Sequence, residues 1–148
     1  MRRRAAVQSA ALRNSLTIGP DGERILWINR HETLPCLIGF GVDYFQKIPD
    51  MIARDEELAN KRGLDFDRDR AFKDQSTFAE PYTLDGSGRC ILSPTHRMIS
   101  GVADDIAFAG AGPRFEIWAL GRLIDCEQAD PVLRALARDV KANGGLRK

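Results

Sequence analysis

Apolar residues come in short runs through most of this chain, and a sustained helical period is clearest near its end. Residues 24–28, Arg-Ile-Leu-Trp-Ile, are rich in β-branched and aromatic side chains and predict a strand. A polar loop through His31 and Glu32 leads to a second apolar run at 36–40. Asp43 can cap a helix, with Gln46 three residues on, and Phe45, Ile48, Ile52 and Leu58 then supply an apolar stripe. Pro49 falls inside that stripe, so the helix either kinks or restarts there, and Gly63 closes it. The mixed charges of residues 50–62 are those of a solvated face. A second polar helix is expected from Asp65, anchored by Phe66, Phe72 and Phe78. Strands follow at 82–84 and 90–92 around a turn at 85–88, then a short helix at 95–99. Two more strands, 106–109 and 114–120, flank a turn at 110–113. Asp130 caps the last helix with Pro131 at its first position; Val132, Leu133, Leu136, Ala137 and Val140 form one face, and Asn143-Gly144-Gly145 stops it. At the other end, residues 5–13 predict a short strand or helix, and 19–22 a turn.

The order of elements repeats. Leu12-Arg13, the strand at 24–28 and Pro35 to Phe40 run in the first half; His96-Arg97, residues 105–109 and Pro113 to Trp118 run in the second. The two predicted helices separate the copies. Each copy is too short to bury a sheet face alone, so the two are expected to interlock into one small β-barrel-like core.

Charge narrows the function. With 22 Lys and Arg against 21 Asp and Glu, the formal net charge of this 148-residue chain is +1, which excludes a uniformly basic nucleic-acid binder. Any anion-binding face must come from local clustering of arginines. Three cysteines without C-x-x-C spacing give neither a disulfide framework nor a zinc knuckle, and Cys36 and Cys90 read as small buried residues. His31-Glu32 and His96 lack metal-ligand spacing, and Gly86-Ser87-Gly88 lacks the G-x-S-x-G elbow of a hydrolase nucleophile. No enzyme activity, metal or cofactor is therefore expected. No run approaches the roughly 18 apolar residues of a membrane span. Met1-Arg2-Arg3-Arg4 is not followed by the hydrophobic region of a signal peptide, so a cytoplasmic protein without a membrane partner is expected.

The turn at 85–88 is the most informative stretch. Asp85-Gly86-Ser87-Gly88 carries two glycines, each able to take the positive φ of a tight hairpin, and it ends on Arg89. A cation beside exposed backbone amides suits an anionic backbone. Arg89 is read as a phosphate or base-edge contact with Gly86 and Gly88 allowing close approach, or else as a surface arginine paired with Asp85. Arg97 and Arg13 either clamp phosphates or form structural ion pairs, and Arg2, Arg3 and Arg4 make a basic arm or a plain terminal tail. Phe115, Ile117, Trp118 and Trp27 are assigned to the core, while Glu116 either serves a subunit contact or faces water.

With turn and repeat together, the chain resembles the MraZ family, whose two halves are each of the AbrB/SpoVT swapped-hairpin type. The matching residues are Asp85-x-x-Gly88-Arg89, the apolar strand and Pro94, Arg97, and Phe115-Glu116-Ile117-Trp118. In the first half they are Arg13, the strand at 25–28, and Pro35-Cys36-Leu37 leading to Phe40. The resemblance runs to about residue 125. It implies an α+β fold in which two AbrB-like swapped-hairpin repeats form one small β-barrel, with a helical pair between the repeats and a C-terminal helix. Residues 1–42 would be the first repeat, N-terminally incomplete, 43–78 the connecting helices, 79–125 the second repeat, and 126–148 the C-terminal helix and tail. It also implies a nucleoid-associated bacterial transcriptional regulator, a repressor of its own division and cell-wall gene cluster. Such a protein would bind short repeats of double-stranded DNA upstream of its own operon as a homo-oligomeric ring. The DNA-binding residues so implied are Asp85, Gly86, Gly88, Arg89 and Arg97, with Arg13 and Arg4 from the first half.

One departure stands out. Family members carry D-x-x-G-R in the first repeat as well, just ahead of the position of Arg13. Here Met1 to Ser9 contains neither the aspartate nor the glycine, nor a strand before them. Either Arg4 is the cation of a degraded motif, or the start of this sequence lies downstream of the true one. The first half would then have an unpaired sheet edge needing cover from another chain. The alternative function is accordingly a ring-forming interaction protein whose DNA binding is impaired.

Overall fold

The computed structural model describes residues 5–6, 17–18, 22–103 and 105–143. Its strands are β1 (Ala5–Ala6), β2 (Thr17–Ile18), β3 (Arg24–Arg30), β4 (Leu37–Phe40), β5 (Glu80–Leu84), β6 (Arg89–Cys90), β7 (Ile106–Ala111) and β8 (Arg114–Ala119). Its helices are α1 (Val42–Lys61), α2 (Arg68–Ser76), α3 (Pro94–Ser100), α4 (Leu120–Asp125) and α5 (Pro131–Ala142). The architecture is α+β around an antiparallel sheet.

β3 is the hub of that sheet. Along one edge it pairs with β5, from Arg24 opposite Leu84 to Ile28 opposite Glu80. Along the other it meets β2 at its start and β4 at its end. The order then continues from β4 to β8 to β7, while β6 pairs separately with β1. Among the described residues β5 and β7 are the outer strands and nothing joins them, so the sheet is open where the sequence predicted a closed barrel. Closure requires every strand to have two neighbours, and β7 has one.

The pairing registers relate the halves. Ile38 lies opposite Glu116, the residue that the repeat makes its equivalent, when Pro35 is matched to Pro113. Ala5 lies opposite Cys90, which are equivalents too if Arg4 is the counterpart of Arg89. Antiparallel pairs centred on equivalent residues are what a local two-fold axis between two copies produces. The registers also correct the alignment in one place. Trp27 lies opposite Phe40, and Ala107 lies opposite Trp118, so the counterpart of Trp27 is Ala107 and not Phe108. A one-residue slip reverses the face of every side chain, so Phe108 instead takes the place of Ile28.

Burial follows three clusters. Leu26, Ile28 and Leu37 pack with Tyr82, Leu84, Cys90, Leu92, Phe115 and Ile117. Ile38 and Phe40 pack against Tyr44, Ile48 and Ile52 of α1, and Trp27 stacks on Phe45 with ring centroids 4.3 Å apart. Trp118 and Cys36 meet α4 and α5 through Leu123, Cys126 and Ala137. Cys36, Cys90 and Cys126 are all buried free thiols; burial pushes Cys36 up to about 12 and Cys90 up to about 11, so both stay protonated at neutral pH.

Several local expectations shift by a residue or a role. α1 starts after Gly41, with Asp43 inside its first turn, and runs through Pro49 without a break. Pro49 is exposed, so its ring points away from the packed face. α2 begins at Arg68 and is capped by the side chain of Asp67, which accepts from the Arg70 amide. Phe72 is 38% exposed, whereas Phe66 packs against the α1 cluster. α4 was not foreseen, because the apolar run of β8 continues straight into Leu120 and Leu123. α5 matches its prediction: Asp130 accepts from the amides of Val132 and Leu133, with Pro131 at the first position. Its packed face is narrower than expected, since Val132 and Leu136 are exposed and only Leu133, Ala137 and Val140 reach the core. Residues 7–13, 19–21 and 144–145, to which the sequence assigned structure, lie outside the described residues.

Candidate nucleic-acid interface

The turn between β5 and β6 is built by its aspartate. Asp85 Oδ1 accepts from the backbone amides of Ser87, at 2.9 Å, and Arg89, at 3.0 Å. Gly88 N–H donates to Asp85 O, and Asp85 N–H donates to Arg89 O, each at 2.9 Å. This is the bonding of a three-residue hairpin loop closed by a residue in the left-handed region. Gly88 fills that position with φ +74°, where a side chain would be strained. Gly86 does not take a positive φ, and a Cβ built there meets nothing within 4 Å. Of the two glycines, then, Gly88 is demanded by the fold and Gly86 leaves open space. Asp, Gly and Arg at this spacing are one device: the carboxylate ties the loop, the glycine turns it, and the chain emerges with Arg89 exposed at the start of β6. An open depression of about 360 Å³, lined by Thr83, Leu84, Asp85, Arg89, Cys90 and Ile91, lies beside it.

Behind the turn, a buried polar network fixes α3 to β5. Ser93 caps the helix by accepting from His96 N–H, and its hydroxyl donates to Glu80 Oε2 at 2.6 Å. Tyr82 OH accepts from Ser93 N–H at 2.9 Å and lies 2.7 Å from His96 Nδ1. His96, fully buried, places Nε2 2.6 Å from Phe78 O. A carbonyl only accepts, so Nε2 carries a proton, and Nδ1 lies between Tyr82 OH and Glu80 Oε2, the latter 3.2 Å away. Burial pushes the Tyr82 phenol upward, which keeps that hydroxyl protonated. Every heteroatom of the pair is satisfied, as a buried polar group requires. The sequence marked His96 only as a histidine without metal-ligand spacing; its part in positioning the turn was not read. Arg97, next along α3, is half-buried.

A second charged group ties the halves together. Arg114 grips Glu32 with both terminal nitrogens, Nη2 donating to Oε2 at 3.0 Å. Burial would raise the Glu32 carboxyl, but hydrogen bonding from Arg114 and Gln75 outweighs it and holds it down to about 2. His31 accepts the amides of Thr33 and Leu34 at Nδ1, and Nε2 faces Glu116 Oε2 at 3.6 Å. Burial, with the charge of Arg114, pushes His31 down despite the two carboxylates. Glu116 also accepts from Trp118 Nε1 at 2.9 Å. Glu116 thus takes part in an internal network while its side chain stays partly exposed. No local pattern announced the Glu32–Arg114 pair, because its members are 82 residues apart.

The sequence-predicted site residues fare unequally. Asp85, Gly86, Gly88 and Arg89 form one loop, and Arg97 sits on the helix that the buried network attaches to the same β5. Arg13 and Arg4 lie outside the described residues. Among the described residues there is no group of three or more histidine, cysteine, aspartate or glutamate side chains placed to hold a metal ion, and no helix long and apolar enough to cross a membrane.

No family model matches the chain. Curated relatives do. It is 41% identical over 61 residues to the transcriptional regulator MraZ of Nitratidesulfovibrio vulgaris, covering 40% of this chain and 41% of the relative. It is 33% identical over 64 residues to that of Parvibaculum lavamentivorans, covering 40% of each, and 34% identical over 65 residues to that of Methylocella silvestris, covering 43% of this chain and 40% of the relative. The matches thus span about two-fifths of the length of these relatives. Together they support assigning this chain to the MraZ family.

Proposed function

We propose that this protein is a sequence-specific, DNA-binding transcriptional regulator. The observation that carries the reading is the Asp85-tied loop, which presents Arg89 exposed on a rigid β turn beside an open depression. A preorganised cation at a strand start can reach a phosphate or a guanine edge without first losing side-chain and loop freedom. The names of the relatives support the regulatory role. In the full reading, Asp85 and Gly88 shape the loop, Gly86 lets DNA approach, Arg89 contacts it, and Arg97, Arg13 and Arg4 clamp phosphates. The halves 1–42 and 79–125 act as swapped-hairpin repeats, with 43–78 and 126–148 as helical additions, and the registers of Ile38 with Glu116 and of Ala5 with Cys90 support that division. The target is short repeats of double-stranded DNA upstream of its own operon, and the outcome is repression of a division and cell-wall gene cluster in the nucleoid. One reading loop per subunit binds weakly, so several subunits in a ring would engage successive repeats and gain through effective concentration.

Gel-shift titration of the wild type on DNA from upstream of its own gene tests this. The expected result is retardation that weakens as salt rises and that a scrambled fragment of equal length does not reproduce. Absence of salt-dependent binding would instead favour the second reading, a ring-forming interaction protein with impaired DNA binding.

A further inference from the structure

The loop between β3 and β4 is held by a histidine in a way that only its neutral form can manage, and we propose that His31 is an acid-sensitive latch on the contact between the two hairpins. Its Nδ1 accepts two backbone amides at once, from Thr33 at 3.1 Å and from Leu34 at 3.0 Å. A ring nitrogen at which two N–H groups point has its lone pair in use and no room for a proton. The proton of the neutral ring therefore sits on Nε2, which faces Glu116 Oε2 at 3.6 Å. The ring does for this loop what an asparagine or aspartate side chain does in a turn, holding the amides two and three residues on. Two backbone bonds close the loop behind it: His31 N–H donates to Cys36 O at 3.0 Å, and Cys36 N–H to Leu34 O at 2.9 Å. The His31 side chain is only 11% exposed. Protonating Nδ1 thus requires the loop to let go of it.

Among the described residues three charged groups face the ring: Glu32 from the loop itself, and Arg114 and Glu116 from β8. Burial, the largest influence, and Arg114 oppose a charged ring, while the two carboxylates favour it; the outcome is a His31 below its ordinary value. Protonation turns Nδ1 from an acceptor of two amides into a donor, and Glu32 Oε2 lies 3.5 Å from it. That oxygen already accepts from Arg114 Nη2 at 3.0 Å. A charged His31 therefore releases Thr33 and Leu34 and competes with Arg114 for Glu32, the side chain that ties the β3–β4 loop to β8. Glu32, held at about 2, stays ionised meanwhile, so the response belongs to the histidine. By linkage, the latched ring binds a proton less readily than a free one. The latch is accordingly at full strength above about pH 6.5 and weakens as pH falls toward the lower value of the latched ring. None of this depends on DNA or on a second copy of the chain.

Hydrogen exchange of the full chain across the histidine range, from about pH 7.5 to about pH 5, tests it, with His31→Asn beside the wild type. Asparagine keeps an oxygen that can accept the amides two and three residues on, but it does not titrate. After correction for intrinsic exchange rates, protection of the Thr33 and Leu34 amides in the wild type should be level above about pH 6.5. Below that it should fall by up to about tenfold per pH unit. In His31→Asn the same two amides should keep level protection over the whole range. If His31→Asn fails to fold, an NMR titration of the wild-type ring carries the test. His31 should then titrate below about pH 6.5, with Thr33 and Leu34 protection levelling off once the ring is charged. Level protection in the wild type, an equal fall in His31→Asn, or a His31 ring that titrates at or above about pH 6.5 would each overturn the proposal.

Discussion

The hairpin of β3 and β4 and the hairpin of β7 and β8 share a register, yet the first is buried and the second is half open. Ile28 is 1% exposed; Phe108, at the same place in the register, is 37% exposed. The strands themselves do not explain this, since Phe108 is the larger apolar side chain. The difference lies in the third strand. β5 lies beside β3 and brings Tyr82 and Leu84 into the cluster that covers Leu26 and Ile28. β7 has no such neighbour among the described residues. Burial here is set by which elements flank a hairpin, and the same β5 that seals one hairpin also carries the turn ending in Arg89.

Substitutions can break or sharpen that contrast. The largest effect is expected at Trp118, fully buried on β8 against α4 and α5: Trp118→Ala should cost about 3–5 kcal/mol in chemical unfolding. An equal loss from an edge substitution on β7 would erase the distinction between the packed and open strands of this hairpin. Next comes the tie between the hairpins. Glu32 is held at about 2 in the folded chain, below its unfolded value of about 4.3, so the pair stabilises the fold above about pH 4.3 and loses that contribution as pH falls toward 2. The Glu32 side chain is 25% exposed, and solvent screening reduces the effect to about 1–2 kcal/mol. Arg114→Ala should lose it at neutral pH and flatten the acid limb of the stability curve, as read by melts across pH. Similar in size is Gly39→Ala, expected to cost about 1–3 kcal/mol, because an added methyl would run into the Phe115 ring across the β4·β8 pair. Smallest is Phe108→Ala, which should change monomer stability by less than about 1 kcal/mol, in keeping with an open edge.

Much of this was legible in the sequence where the signal was local. Asp130-Pro131 placed α5, residues 24–28 placed β3, and Asp85 to Arg89 marked the turn, because capping and turn chemistry depend on neighbours in the chain. What escaped depended on partners far away. Nothing near Arg114 says that it grips Glu32, and nothing near His96 says that Tyr82 and Phe78 O enclose it. The alignment of Trp27 with Phe108 matched aromatic to aromatic, whereas the register is set by pairing across the hairpin and puts Ala107 there. The closed barrel was expected from the repeat, whereas among the described residues β7 has one neighbour and the sheet stays open.

The central claim is that Arg89 reads DNA from a turn the fold makes rigid. The direct measurement is a fluorescence-anisotropy titration of Arg89→Ala against wild type on the upstream DNA, repeated at several salt concentrations. Arg89 is exposed, so the melting temperature should not move. Affinity should fall by about 1–3 kcal/mol per engaged subunit, with a shallower salt slope if a phosphate is also lost. Unchanged affinity and slope in a variant that melts like the wild type would contradict the claim.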